Sequence, residues 1–248
     1  MTNTLTTPRT AAVLDRLFAA AEAQEAAHAQ EAARPGRGRG SRQEQRDARA
    51  EEAAPGREGG AAPAPWASLS AQERADALAD AYIPVSRAGG QLLYALTRAI
   101  RPATVVEFGT SFGISTIFLA AAVTDNGTGR VVSTELSKVK VGRAEENLRA
   151  AGVDGPVTVL AGDARETLAA VPGPVGLVLL DGWKDLYRPV LKLLEPKLAP
   201  GALVVADDTS FPSVAGYLAY VRDPAHGYVT VAFPVEDGME LSAWTGGR

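Results

Sequence analysis

The sequence predicts an α/β fold, with seven strands in a mostly parallel sheet, helices on both faces and an antiparallel C-terminal hairpin. Three observations predict it. Strand-like and helix-like segments alternate from about Ser86 onward. Runs such as Gly176-Leu-Val-Leu-Leu180 are apolar without interruption, as a parallel strand covered on both faces requires. The last two strand-like segments are joined by a short turn at Glu236-Asp-Gly238, and such an Asp-Gly turn makes a hairpin, so the final strand must run antiparallel.

Taken in order, Thr10 to Ala33 has the form of a helix with Val13, Leu14, Leu17 and Phe18 as its apolar stripe. Beyond Phe18 its apolar residues are almost all alanine, so its second half should pack weakly. Arg34 to Pro65 is rich in Arg, Gly, Pro, Ala and Glu and has no Leu, Ile, Val or Phe. Such a stretch buries too little apolar surface to offset its ordering entropy, and a disordered low-complexity insertion is expected. Arg37, Arg39 and Arg42 lie close together there. Glu44, Asp47, Glu51 and Glu52 largely cancel their charge, which favours a solvated linker over a basic arm. The chain thus divides into an N-terminal helix (1–33), the insertion (34–65) and one α/β domain with N-terminal cap helices (66–248).

Within that domain, Ser70-Ala-Gln-Glu73 is a capping box opening a helix to about Tyr82, which Pro84 ends. Ser86 can cap the next helix, where Leu92, Leu93, Leu96 and Ile100 fall at helical spacing. Strands are expected at Thr104–Phe108, Arg130–Glu135, Val157–Ala161, Val175–Leu180, Ala202–Ala206, Tyr228–Phe233 and Met239–Trp244. Helices fill the gaps near Ile114–Val123, Lys138–Ala151, Ala164–Ala170, Asp185–Leu198 and Val214–Arg222.

Composition narrows the function classes. The 248 residues are 46% hydrophobic, enough for one domain with a real core, and the formal charge of −4 gives no sign of a nucleic-acid partner. There is no cysteine, which excludes disulfides, thiolate catalysis and thiolate metal sites together. A metal would need oxygen ligands or the two histidines, His28 and His226. No apolar run reaches membrane-spanning length and Met1–Arg9 has no signal pattern, so no membrane partner is expected and a cytoplasmic protein is the default.

Ligands of open α/β sheets bind at the carboxyl ends of the strands, where the chemistry should be sought. The first strand ends Glu107-Phe-Gly-Thr-Ser-Phe-Gly113. Its Gly-x-x-x-Gly spacing is not the Gly-x-Gly-x-x-Gly of a dinucleotide pyrophosphate site, and Glu107 would oppose a phosphate but suit a cation. A ligand with an ammonium group and no phosphates fits, and S-adenosylmethionine is one. Glu135 ends the second strand, where an acid can accept both ribose hydroxyls. Asp163, after the third, can cap the next helix or lie with Ala164 at an adenine edge. The fourth strand leads into Asp181-Gly-Trp-Lys-Asp-Leu-Tyr187 and the fifth into Asp207-Asp208. Lys184 falls near the start of a helix, the wrong end for a cation serving helix stability. Three carboxylates at neighbouring strand ends resist ionisation together unless neutralised, and an oxygen-only set suits Mg²⁺.

The stretches Glu107-Phe-Gly-Thr-Ser-Phe-Gly-Ile-Ser115, Glu135, Asp163-Ala164, Asp181-Gly-Trp-Lys-Asp-Leu-Tyr187 and Ala206-Asp-Asp208 resemble those of the cation-dependent class I S-adenosylmethionine O-methyltransferases. This is the catechol and caffeoyl-CoA O-methyltransferase family, and the likeness is to its small bacterial members, from about Tyr82 to the C-terminus. The resemblance implies a Rossmann-like sheet whose seventh strand lies antiparallel between the fifth and sixth. It implies that Glu107, Gly109, Thr110 and Ser115 hold the methionine part of S-adenosylmethionine, with Val85 giving a backbone contact. By the same resemblance Glu135 holds the ribose, Asp163 and Ala164 lie at the adenine, and Asp181 lies beside the cofactor. Asp181, Asp207 and Asp208 would ligate the metal and Lys184 would be the base. The family usually has Asp-Asn where this chain has Asp207-Asp208. The implied acceptor is a small-molecule hydroxyl, a phenol or vicinal diol that can chelate the ion, and family members commonly form homodimers. Competing readings are a metal-independent O- or N-methyltransferase, a non-catalytic S-adenosylmethionine-binding protein and an NAD-dependent oxidoreductase, the last disfavoured by the glycine spacing.

Overall fold

The computed structural model describes residues 3–32, 69–235 and 237–246, and the insertion expected at 34–65 lies outside them. No helix among the described residues is long and apolar enough to cross a membrane. The first helix, α1 (Pro8–Ala32), starts with Pro8, whose fixed φ suits a first helical position. It buries Val13, Leu14, Leu17 and Phe18, and most of the helix beyond Phe18 is exposed. Helix α2 (Ala71–Ala77) opens on the expected capping box: the Ser70 hydroxyl accepts from the Glu73 N–H, and the Glu73 carboxylate accepts from the Ser70 N–H. It ends five residues short of Tyr82. The cause is tertiary, because the Tyr82 N–H donates to the Gln24 side chain of α1 at 2.7 Å instead of continuing a helix.

After α3 (Arg87–Ile100), capped by Ser86, the chain alternates as expected. The elements are β1 (Thr104–Phe108), α4 (Ile114–Asn126), β2 (Arg130–Glu135), α5 (Lys138–Ala151), β3 (Val157–Ala161), α6 (Ala164–Thr167) and β4 (Val175–Leu180). They continue with α7 (Tyr187–Leu194), β5 (Leu198–Ala206), α8 (Ala215–Val221), β6 (Tyr228–Phe233) and β7 (Met239–Trp244). The single helices expected at Ala164–Ala170 and Asp185–Leu198 are shorter α-helices extended by 3₁₀ turns.

The sheet order is β3-β2-β1-β4-β5-β7-β6. Strands β1 to β5 are parallel, and β7 runs antiparallel to both β5 and β6, as the hairpin required. The hairpin loop spans 234–238, longer than the turn read from Glu236-Asp-Gly238. Alternate strand residues feed two cores. Val105, Leu177, Leu179 and Val205 pack under α3 and α4 with Leu93, Ile117 and Leu119. Val106, Val178, Leu180 and Val204 face Leu168, Leu191, Leu194 and Tyr217 on the other side.

Strand order reverses between β1 and β4, which opens a crevice above their carboxyl ends. Gly109 sits there with φ +102°, and the Asp181 N–H donates to the Phe108 carbonyl at 2.8 Å. A β-carbon on Gly109 would stand 2.5 Å from the Asp181 carbonyl oxygen. One close approach that demands glycine here is to protein backbone. Gly109→Ala combines a φ unsuited to alanine with this clash and should cost more than about 1 kcal/mol. A melting temperature at least about 2 °C below wild type is expected; an unchanged one would show that the turn has room.

Candidate active site

Five strand ends and the loops beyond them build the crevice. Glu107, at the end of β1, is 0% exposed. Its carboxylate accepts from the hydroxyls of Ser115 (2.6 Å), Thr116 (2.6 Å) and Ser133 (2.5 Å). Burial pushes its pKa up against those three hydrogen bonds, and the nearby charge of Glu135 adds to the rise. The Thr110 hydroxyl joins this network through Ser133 at 2.5 Å. Glu107, Thr110 and Ser115 are thus brought together, but as a buried hydroxyl-carboxylate cluster beneath the loop. Sequence reasoning passed over Thr116 and Ser133; the signal was polar residues inside an otherwise apolar helix and strand.

Glu135 ends β2 half-buried and ties two loops together. One oxygen accepts from the Ser111 N–H and the other from the Ser137 N–H, both at 2.8 Å. Ser111 adopts a left-handed φ of +47° to reach it. Each carboxylate oxygen keeps a further lone pair for a ligand hydroxyl. Val85 is buried in the core. Asp163 caps α6 through the Arg165 N–H (2.8 Å) and pairs with the Arg165 guanidinium at 2.5 Å. The Arg165 hydrogen bonds hold its carboxyl below the usual range, against burial. The cap reading is met by this side chain, and Ala164 beside it is buried.

Asp181, Asp207 and Asp208 converge, with one oxygen of each within 4.8 Å of the others. Consecutive residues of an extended chain point to opposite sides. Asp207 and Asp208 nevertheless meet because Asp208 turns left-handed, φ +55°, a conformation that Asp tolerates better than most residues. Lys184 stands among them. Its Nζ lies 2.9 Å from Asp208 Oδ2 and 3.4 Å from Asp181 Oδ1, and it donates to the Tyr187 hydroxyl at 2.8 Å. That hydroxyl in turn donates to the Asp207 carbonyl at 3.1 Å.

Burial raises the Asp181 carboxyl well above its usual range; Lys184 opposes this, and the charges of Asp207, Asp208 and Glu107 reinforce it. For Lys184, burial acts downward, but Tyr187, Asp181, Asp208 and Asp207 outweigh it and hold the ammonium protonated. A neutral Lys184 therefore requires those carboxylates to be engaged elsewhere. The donor set fits a hard divalent cation: it is all oxygen, convergent and short of positive charge. From α2, the Arg74 guanidinium stacks over Trp183 at 4.7 Å and pairs with Asp185 at 3.2 Å, closing one side of this loop. The histidines lie in other settings: His28 is on the exposed part of α1, and His226 stacks on Tyr220 at 3.9 Å.

A methyltransferase-domain family model matches residues 106–209, the span from β1 to the acidic pair. Catechol O-methyltransferase B of Danio rerio is 29% identical over 171 residues, which cover 63% of this chain and 64% of that protein. Cofactor-bound Rv0187 from MTB superposes with a TM-score of 0.62 at 28% identity, covering 71% of this chain and 90% of that one. The O-methyltransferase TomG of Streptomyces achromogenes, solved in complex with S-adenosylmethionine, gives 0.58 at 26% identity, covering 72% and 91%. Over this span the chain is similar to class I S-adenosylmethionine O-methyltransferases. It spans just under two thirds of the Danio rerio relative's length. The family model runs from β1 to Thr209, and so contains both the loop under which Glu107 lies and the Asp181–Lys184–Asp207–Asp208 cluster.

Proposed function

We propose that this chain transfers a methyl group from S-adenosylmethionine to a hydroxyl oxygen of a small phenol or vicinal diol. Asp181, Asp207 and Asp208 would hold a divalent cation, Mg²⁺ by the chemistry of the donors. The observation that carries this reading is the convergence of three carboxylates on Lys184 above the β1–β4 switch point.

S-adenosylmethionine supplies a sulfonium methyl that is already electrophilic, and a divalent cation beside a hydroxyl lowers that hydroxyl's pKa. What is left to the chain is alignment and proton handling. Glu135, fixed by two backbone N–H groups, presents its remaining lone pairs to the ribose. The hydroxyl cluster around Glu107 braces the loop above it from beneath. Lys184 can receive the acceptor's proton at Nζ when its ion pairs with Asp181 and Asp208 are broken. The acceptor oxygen's electron pair then forms the new O–CH₃ bond as the C–S bond breaks, leaving S-adenosylhomocysteine.

A second reading, a metal-independent methyltransferase, is favoured by one observation: the Lys184 ammonium bridges two of the three carboxylates and can itself offset part of their charge. Calorimetry with S-adenosylhomocysteine in EDTA tests the part common to both. Binding is expected, with NAD giving none, and Glu135→Ala should weaken it at least about tenfold, the size of one charge-assisted hydrogen bond. Binding of NAD in place of S-adenosylhomocysteine would overturn the proposal. Methyl transfer to catechols and other phenols, monitored with and without Mg²⁺, separates the two readings.

A further inference from the structure

Lys140 is a buried cation for which the proposed chemistry has no use. It lies in the first turn of α5, where the positive end of the helix dipole disfavours an ammonium. It is 5% exposed, and removing an ammonium from water is costly unless partners replace the water. Its Nζ donates to the Ser111 hydroxyl at 3.2 Å and lies 5.4 Å from the centre of the Phe112 ring. An ammonium has three N–H donors, so this single hydrogen bond leaves two for another acceptor.

The surroundings locate those donors. Burial lowers the Lys140 pKa, and the charges of Glu135, Asp181 and Asp80 act in the opposite direction. Glu135 ends β2, Asp181 comes directly after β4 and Ser111 belongs to the loop after β1, so the ammonium is enclosed by the strand ends that form the crevice. Glu135 and Asp181 hold its charge at a distance, and neither forms an ion pair with it among the described residues.

We infer that Lys140 receives the carboxylate of the amino-acid end of S-adenosylmethionine, with the Ser111 hydroxyl beside it. This rests on the cofactor assigned above and adds a residue that selects for one of its groups. A buried ammonium with unused donors is matched best by an anion, and that carboxylate is the cofactor's anionic group. Glu135 suits the ribose hydroxyls for the opposite reason: a carboxylate accepts hydrogen bonds and repels another carboxylate.

The test compares S-adenosylhomocysteine with its decarboxylated analogue by calorimetry in EDTA, so that catalysis plays no part. The wild-type protein should prefer the carboxylated ligand at least about tenfold. Lys140→Met should bind both ligands alike, at the wild-type affinity for the decarboxylated one, and Lys140→Arg should keep much of the preference. If Lys140→Met does not fold by thermal melt, Lys140→Gln takes its place. No preference in the wild-type protein, or a preference that survives in Lys140→Met or Lys140→Gln, overturns the assignment alone. Failure of the wild-type protein to bind either ligand overturns the methyltransferase reading with it.

Discussion

Asp207→Ala should abolish the response of turnover to Mg²⁺ while leaving S-adenosylhomocysteine binding within about twofold of wild type. Asp207 is 3% exposed and one of three carboxylates within 4.8 Å of one another. Two of these, Asp181 and Asp208, are already bridged by the Lys184 ammonium. Removing Asp207 leaves two negative charges facing one positive charge, a set with little further call for a cation. The acids most closely tied to the cofactor loops, Glu107 and Glu135, are held by other partners and should be undisturbed. Lewis-acid stabilisation by a bound ion contributes several kcal/mol, so the rate should fall by about 10²-fold or more, and EDTA should do the same to the wild-type enzyme. Asp208→Asn should behave differently. It keeps an oxygen donor and tolerates the left-handed φ of +55°, but it loses one charge and the 2.9 Å ion pair with Lys184. Retained activity with an altered metal preference is expected. Full wild-type turnover in EDTA, matched by Asp207→Ala, would establish the metal-independent reading.

How much of this was legible before the fold was seen depended on whether local pattern or distant partners decided it. Strand β4 is apolar at every position and buried at every position, so its limits and its burial could be read directly. Strand β5 begins four residues before the expected Ala202, because Leu198 pairs with Val175 across an irregular register that no local pattern reveals. The end of α2 was missed for the same reason, since Gln24, 58 residues away, takes the Tyr82 N–H. In the site, Asp181, Lys184, Asp207 and Asp208 were legible because strand ends of a parallel sheet converge by construction. The left-handed turn that brings Asp208 beside Asp207 was not. Nor was Lys140, whose position in α5 looks like ordinary helix surface until Ser111 and Phe112 fold over it. The closeness of the Asp181 backbone to Gly109 was likewise not legible, because it joins two strand ends 72 residues apart.

Lys184→Ala should lower kcat by about 10²-fold or more, the usual contribution of a general base, with cofactor affinity little changed. The side chain touches Asp208, Asp181 and Tyr187, and no hydrogen bond joins it to the loops of Glu107 or Glu135. The pH dependence separates a base from a structural counter-charge. In the wild-type enzyme the acids around Lys184 raise its pKa, so the neutral, proton-accepting form becomes commoner as pH rises. In the variant only acceptor that ionises without a protein base can react, and that fraction also rises with pH until it levels off at the pKa of the hydroxyl beside the cation, below the free phenol's value of about 10. The deficit should therefore be large and nearly constant through neutral pH and should shrink as the acceptor's pKa is approached. If Lys184 serves only to neutralise Asp181 and Asp208, its loss should instead strengthen the demand for Mg²⁺, raise the melting temperature's dependence on that ion and leave kcat at saturating Mg²⁺ near wild type. A deficit of equal size at every pH, or one confined to KM, would sink the assignment of Lys184 as base.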